Sequence, residues 1–410
     1  MHETAGMATP WPPCTPLASS GEMPSIPSAW GTMPAEPAST PSIPATVRVL
    51  HLINGEHYSG AERVQDLLAA RLPEFGFRVG FACMKPDRFP ALRRTQEAPL
   101  YDAAMRGRFD VRPLANLRAI VRSEGYRILH AHTPRTLMVG RLLAKWTGVP
   151  LVYHVHSPAS RDSTHRWRNR VNATLERISL CGAAGLIAVS ESLGRHMRAL
   201  GLAGDTISVV PNGVPVPADV PVRREPSGAW TLGTVALLRP RKGTEVLIDA
   251  LALLRGQGRE VRLRVVGPFE TEDYQTRLLE RVASHRLQDA VDWVGFTREV
   301  NAELARMDLF VLPSLFGEGL PMVVLEAMAA GVPVVGTWVE GVPEAVRDGV
   351  DGVLAQPGDA ADLAAAIGRV VDGSLNWTAL RRNARLRQAE RFSDRSMAAG
   401  VAAVYQRILA

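Results

Sequence analysis

Glu318 and Glu326 stand eight positions apart, with Gly317 and Gly319 flanking the first and a run of Val, Leu, Ala and Met around the second. Glycines let a loop's backbone come close to a ligand, so Glu318 belongs to a loop that can approach one. Glu326 falls inside a helical pattern. Pro321 suits a first helical position, where its missing N–H costs nothing, which predicts a helix from near Leu320 to the breaker at Gly331. The unpaired amides of Leu320, Met322 and Val323, with the positive end of the helix dipole, would form a seat for a diphosphate. A helix rises about 1.5 Å per residue, so the Glu326 carboxylate lies several ångströms beyond that of Glu318. The two acids can hold opposite ends of one elongated ligand. The spacing alone also fits a surface acid and a solvated one.

Three further groups carry chemistry. Asn54 to Arg63 joins an apolar run to a helical pattern; Gly60 lets the backbone near a ligand, and Glu62 is either an acceptor-side acid or a first-turn residue stabilising the helix dipole. A plain strand-to-helix turn is the alternative. His130, His132, His154 and His156 alternate along two apolar runs, so each pair shares a face; such residues serve as site groups or as hydrogen-bonded core histidines. Without carboxylate support they make a poor zinc set, and no metal is expected. The basic loop Arg239-Pro240-Arg241-Lys242-Gly243 stands between a strand pattern and a helix, where a cation would face a cleft or simply be solvated.

The elements that must position these residues read as strands of parallel sheets covered on both faces. Short runs rich in Val, Ile and Leu occur at 47–53, 80–84, 128–131, 151–155, 186–189 and 207–210, then at 232–238, 261–266, 291–294, 309–312, 334–339 and 352–355, alternating with helical patterns. A Pro-rich stretch separates the two series, which predicts two doubly wound α/β domains, 46–215 and 216–390, followed by a helical segment at 391–410. Residues 1–45 are crowded with Pro, Ser, Thr and Ala and read as a disordered leader.

Composition narrows the function. The 410 residues are 46% hydrophobic and 21% charged, with a net charge of +6. That balance suits an anionic small molecule or an anionic lipid surface. Aromatic residues at 6% and the lack of a Cys/His finger argue against nucleic acid. Three cysteines without metal spacing, a start without a secretory signal and no long apolar run predict a cytoplasmic protein. A stripe of Trp167, Val171, Leu175 and Ile178 with arginines around it is either core or a peripheral contact with anionic membrane.

The segment Glu318 to Val335 resembles the Glu-x7-Glu motif of the retaining family 4 glycosyltransferases, including its Ala-Met-Ala-Ala-Gly-Val-Pro-Val-Val continuation. From about Val47 to Leu409 the landmarks resemble those of GT-B enzymes: Gly60-Ala61-Glu62, His156, Pro211-Asn212-Gly213, Lys242-Gly243, the two acids and the final Arg391-Phe392-Ser393-Asp394. The resemblance implies two Rossmann-like domains facing a cleft, with the last helix crossing back to the first. It implies Glu318 at the donor sugar, Glu326 on the ribose, Lys242 on the diphosphate beside the helix start at Gly319, Leu320, Met322 and Val323, and Gly60 under the diphosphate or the acceptor. His156 would touch the donor sugar and His132 the acceptor side. The family's arginine five residues before Lys242 is replaced by Leu237, and Arg239 is the nearest substitute. The expected reaction moves a sugar from a nucleoside diphosphate to a saccharide or lipid-linked hydroxyl, without cofactor. A phosphorylase-like or synthase-like relative, and a binding protein without turnover, are the alternatives.

Overall fold

Runs of β-branched and aliphatic residues without polar alternation belong in strands covered on both faces, and Val47–Ile53, Leu151–Val155, Gly185–Ala188, Leu309–Leu312, Val334–Thr337 and Gly352–Ala355 are buried in this way. The computed structural model describes residues 46–410 apart from 59, 108–109, 158–179, 181, 202–203 and 221. The expected leader over 1–45, the arginine-flanked stripe over 161–179, and Cys14 and Cys181 lie outside the described residues. The first sheet is parallel, with strands β1 Val47–Ile53, β2 Phe77–Cys83, β3 Leu100–Asp102, β4 Tyr126–Ala131, β5 Leu151–Val155, β6 Gly185–Ala188 and β7 Ile207–Val209 in the order β3-β2-β1-β4-β5-β6-β7. The second, also parallel, contains β8 Trp230–Val235, β9 Val261–Val266, β10 Val291–Gly295, β11 Leu309–Leu312, β12 Val334–Thr337 and β13 Gly352–Ala355, ordered β10-β9-β8-β11-β12-β13.

Both orders reverse direction once, between β1 and β4 in the first sheet and between β8 and β11 in the second. The loops leaving those strands therefore part in opposite directions, opening a crevice at the carboxyl ends. Gly60 follows β1, His132 follows β4, Lys242 follows β8 and Glu318 follows β11. The topology alone delivers four of the expected site residues to the two crevices.

The chain crosses between the sheets twice, and the two crossings are tied together. Val214 N–H donates to the Phe392 carbonyl at 2.9 Å and Asp394 N–H to the Val214 carbonyl at 3.0 Å. Gly213 is obligatory there, since a Cβ would stand 2.0 Å from the Ser393 carbonyl oxygen. Ser393 caps the helix Asp394–Leu409 through the Ser396 amide. That helix lies against the first sheet's domain: Asp394 accepts from Arg71 Nε at 2.8 Å, and Gly185 leaves room for Ile408.

Several boundaries depart from the sequence reading, β8 by two residues at its start and three at its end, and three of the departures have a clear cause. The motif helix is Met322–Ala329, two residues later than expected, because Pro321 adopts an extended cap conformation (φ −71°, ψ 119°). Strand β2 begins at Phe77, where Phe77 and Val79 are buried around exposed Arg78. Strand β3, three residues at the sheet edge, has too short an apolar run to show a period.

Candidate active site

Glu318 sits in the loop after β11, 5% exposed, and is held from several sides. Ser314 Oγ donates to its Oε1 at 2.6 Å, Lys242 Nζ lies 2.5 Å away and Arg241 3.5 Å away. Burial works to raise the carboxyl, but the Lys242 and Arg241 charges outweigh it and leave Glu318 below the usual carboxylate range. Burial pulls Lys242 below the usual lysine value, opposed by the same carboxylate. The loop is shaped by Glu340, whose Oε2 accepts from the amides of Gly317 and Glu318 at 2.9 and 3.1 Å.

Glu326 lies on the inner face of the motif helix, also 5% exposed. Its Oε1 pairs with the Arg63 guanidinium, which comes from the first domain's helix Gly60–Arg71. Its Oε2 is buried without a partner. A buried carboxylate oxygen without a partner has the capacity to accept a hydrogen bond.

The basic loop is a 3₁₀ turn over Pro240–Lys242, and Gly243 (φ 65°) follows it so closely that a Cβ would stand 2.1 Å from the Pro313 carbonyl oxygen. Arg239 is the extended residue before the turn, and its guanidinium leans on Glu270 at 3.6 Å. Arg241, inside the turn, instead donates to the Phe316 and Gly317 carbonyls and lies beside Glu318. Arg241 thus lies beside Lys242 and the acid, and Arg239, paired with Glu270, is still near enough for its charge to act on Lys242.

The two domains meet where two helices begin. A Cβ on Gly60 would lie 3.9 Å from Met322 Cγ, so the first residue of one helix touches the first residue of the other. Met322 and Val323 occupy first-turn positions whose amides have no acceptor within the helix. Leu320 is buried and its carbonyl accepts from Asn212 Nδ2 at 2.8 Å. Gly319 admits the His156 carbonyl oxygen, which would stand 2.0 Å from a Cβ. Glu62 is buried in the first turn of the first-domain helix.

The four expected histidines are joined by a fifth, His51 on β1, opposite His130 on β4 in register. His132 Nδ1 is 3.0 Å from His156 Nε2, and His132 Nε2 is 3.2 Å from His51 Nδ1. Burial pushes His51 and His156 down to about 3 and holds His130, His132 and His154 well below the ordinary value, so all five are neutral near pH 7. His51 escaped the sequence reading because it stands alone on its strand, without a second histidine to mark a face. Arg63 escaped it too, since its partner lies 263 positions away.

Comparison with known proteins agrees with this architecture. A family model for Glycosyl transferases group 1 matches residues 229–372, and one for Glycosyltransferase Family 4 matches residues 58–216. Glycogen synthase of Mycobacterium tuberculosis is 33% identical over 291 residues, 68% of each chain. The amylovoran biosynthesis glycosyltransferase AmsK of Erwinia amylovora is 33% identical over 196 residues, and the match spans 46% of this chain and about half, 47%, of that relative. Among solved structures, HepE of Anabaena, bound to UDP and glucose, superposes with a TM-score of 0.77 at 23% identity, covering 88% of this chain and 100% of HepE. With two parallel-sheet domains facing a cleft, and family matches on both, the chain belongs to the GT-B glycosyltransferases of family 4.

Proposed function

We propose that this protein is a retaining glycosyltransferase that moves a sugar from a nucleoside diphosphate to an acceptor hydroxyl in bacterial polysaccharide, lipopolysaccharide or glycolipid synthesis. The observation that carries the reading is the meeting of two helix starts at Gly60 and Met322, with Lys242 on one side and the two acids set along the motif. Helix N-termini favour anions, and a lysine adds the charge-assisted bond that a departing diphosphate needs. Glu326, with one oxygen unpartnered, would take a ribose hydroxyl. Glu318 would face the sugar. His156 touches the Glu318 loop through Gly319 and would contact the transferred sugar, with His132 and Glu62 toward the acceptor.

Lys242 is paired with Glu318 and Arg63 with Glu326, so each acid of the motif has a cation beside it. In this scheme Lys242, Arg241 and the helix starts neutralise the leaving group, so no metal ion is needed. The retaining course rests on family membership, and the donor class draws support from the UDP held by HepE. The enzyme would act on the cytoplasmic side; among the described residues no helix is long and apolar enough to cross a membrane.

A thermal-shift panel of nucleoside diphosphate sugars tests the reading. A cognate donor at 100 times its Kd should add about 2.7 kcal/mol of stability. Donor-dependent nucleotide release that persists in EDTA, with the product anomer matching that of the donor, would complete the assignment. A panel without any shift would overturn it, and turnover with orthophosphate as acceptor would redirect it to a phosphorylase.

A further inference from the structure

Neutral imidazoles set side by side without a carboxylate can hydrogen-bond to one another, and three of the five, His51, His132 and His156, do so in one line, while His154 stands outside it. Tyr405 on the helix Asp394–Leu409 has its Oη 3.2 Å from His51 Nε2, His51 Nδ1 is 3.2 Å from His132 Nε2, and His132 Nδ1 is 3.0 Å from His156 Nε2. The line runs without a break from the last helix to the half-buried histidine beside the Glu318 loop. A neutral imidazole has one N–H and one lone pair, so each ring in the line fixes the tautomer of the next.

Tyr405 sets the direction. Its Oη is also 2.5 Å from His130 Nδ1. A phenol has one proton, so Tyr405 can donate to only one of these two rings; if it donates to His130, the shorter contact, it accepts from His51. Burial raises the phenol well above its ordinary value, which keeps that proton in place. His51 then carries its proton on Nε2, and His132 and His156 follow suit.

We propose that Tyr405 is a positioning residue that fixes the tautomer of His156 through His51 and His132, leaving His156 Nδ1 as a bare acceptor for a saccharide hydroxyl. The part played by His156 at the sugar rests on the function proposed above; the relay itself does not. A metal ion is the competing occupant, since the imidazole nitrogens of His51, His130 and His132, and those of His132, His154 and His156, lie within 4.8 Å of one another. The ring planes of His132 and His156 lie within 16° of each other with Nδ1 and Nε2 3.0 Å apart, the geometry of a direct ring-to-ring hydrogen bond, and zinc content decides between the two occupants.

The test is ring-¹⁵N histidine spectroscopy of the full-length protein, with the His156 signals assigned by their loss in His156→Gln. The wild type should show His156 as the Nε2–H tautomer, and Tyr405→Phe should convert it to a mixture, with kcat about tenfold lower and donor KM within twofold. His51→Phe breaks the line one ring later and should give the same tautomer change, which covers the case of a Tyr405→Phe chain that folds poorly. An unchanged His156 signal in both variants would overturn the relay. So would stoichiometric zinc in the purified protein that disappears in His51→Phe. If the tautomer follows Tyr405 while His156→Gln turns over at the wild-type rate, the relay stands and the sugar contact of His156 falls.

Discussion

At the scale of single residues, the two acids of the motif are each occupied by a cation, and the pairs differ in what they span. Lys242 and Glu318 both belong to the second domain and are nearly enclosed, with side chains 14% and 6% exposed. Removing one member of a buried pair leaves the other uncompensated and costs about 3 to 5 kcal/mol. Lys242→Ala should therefore lower both stability and turnover, whereas Lys242→Met with Glu318→Gln should recover the melting point and stay inactive. Denaturant titration of the single and double variants separates the two effects. Glu326 pairs across the domains with Arg63, and its proposed partner is a ribose that does not react. Glu326→Ala should raise donor KM about ten- to a hundredfold with a smaller change in kcat, and a collapse of kcat at fixed KM would remove it from the ribose. For the basic loop, each charge-assisted bond is worth about 1.5 to 3 kcal/mol. Arg241→Ala should lower kcat/KM roughly ten- to a hundredfold. Arg239→Ala, which removes a partly exposed pair with Glu270, should stay near wild type in the same nucleotide-release assay.

Among the elements, what the sequence disclosed and what it hid divide along one line: local pattern against long-range pairing. Strands β1, β5, β9, β11 and β13 begin and end where their apolar runs do, because a buried parallel strand has no other constraint on its composition. The motif helix was legible in kind but started late, since a proline can cap a helix as well as open it. The edge strand β3 was not legible. The candidate site divides in the same way. Glycines, acids and the basic loop announced themselves by type, while His51, Arg63 and Glu340 have meaning only through the partners the fold brings to them. Gly319 shows how closely elements meet at the cleft. Its Cβ would stand 2.0 Å from the His156 carbonyl oxygen, and Gly341 in turn would clash with the Gly319 carbonyl at 1.7 Å. Neither neighbour is a flexible side chain. Gly319→Ala should part the Glu318 loop from His156 and cut kcat/KM by more than a hundredfold. Near-normal turnover in that variant would show that the domains need not touch there.

For the molecule as a whole, the last helix joins the two domains mechanically and chemically. The crossing at Gly213–Val214 and the return at Phe392–Asp394 are hydrogen-bonded side by side, so the domains are hinged on two adjacent strands of chain, and Tyr405 carries that return into the histidine cluster. Four buried imidazoles and the half-buried His156, all held uncharged, give the protein a defined acid sensitivity. In the folded chain His51 and His156 are pushed down to about 3 and the other three lie well below the ordinary value, while in the unfolded chain all five protonate near 6.5. Between those values the unfolded state binds more protons, so stability rises with pH, and it is lost as pH falls below about 6.5. Each group contributes about 1.4 kcal/mol per pH unit within that window. Carboxylates such as Glu318, held below their usual range, add to the loss only below about 4.5, so the interval from about 6.5 to 4.5 isolates the histidines. Urea unfolding across this interval should reveal a net uptake of several protons per chain. His154 has both ring nitrogens buried without a partner, so His154→Leu should reduce the uptake by about one proton and make the protein more stable than wild type at pH 5. An uptake that is small, or that His154→Leu leaves unchanged, would mean that the cluster takes up protons in the folded state and is not the source of acid lability.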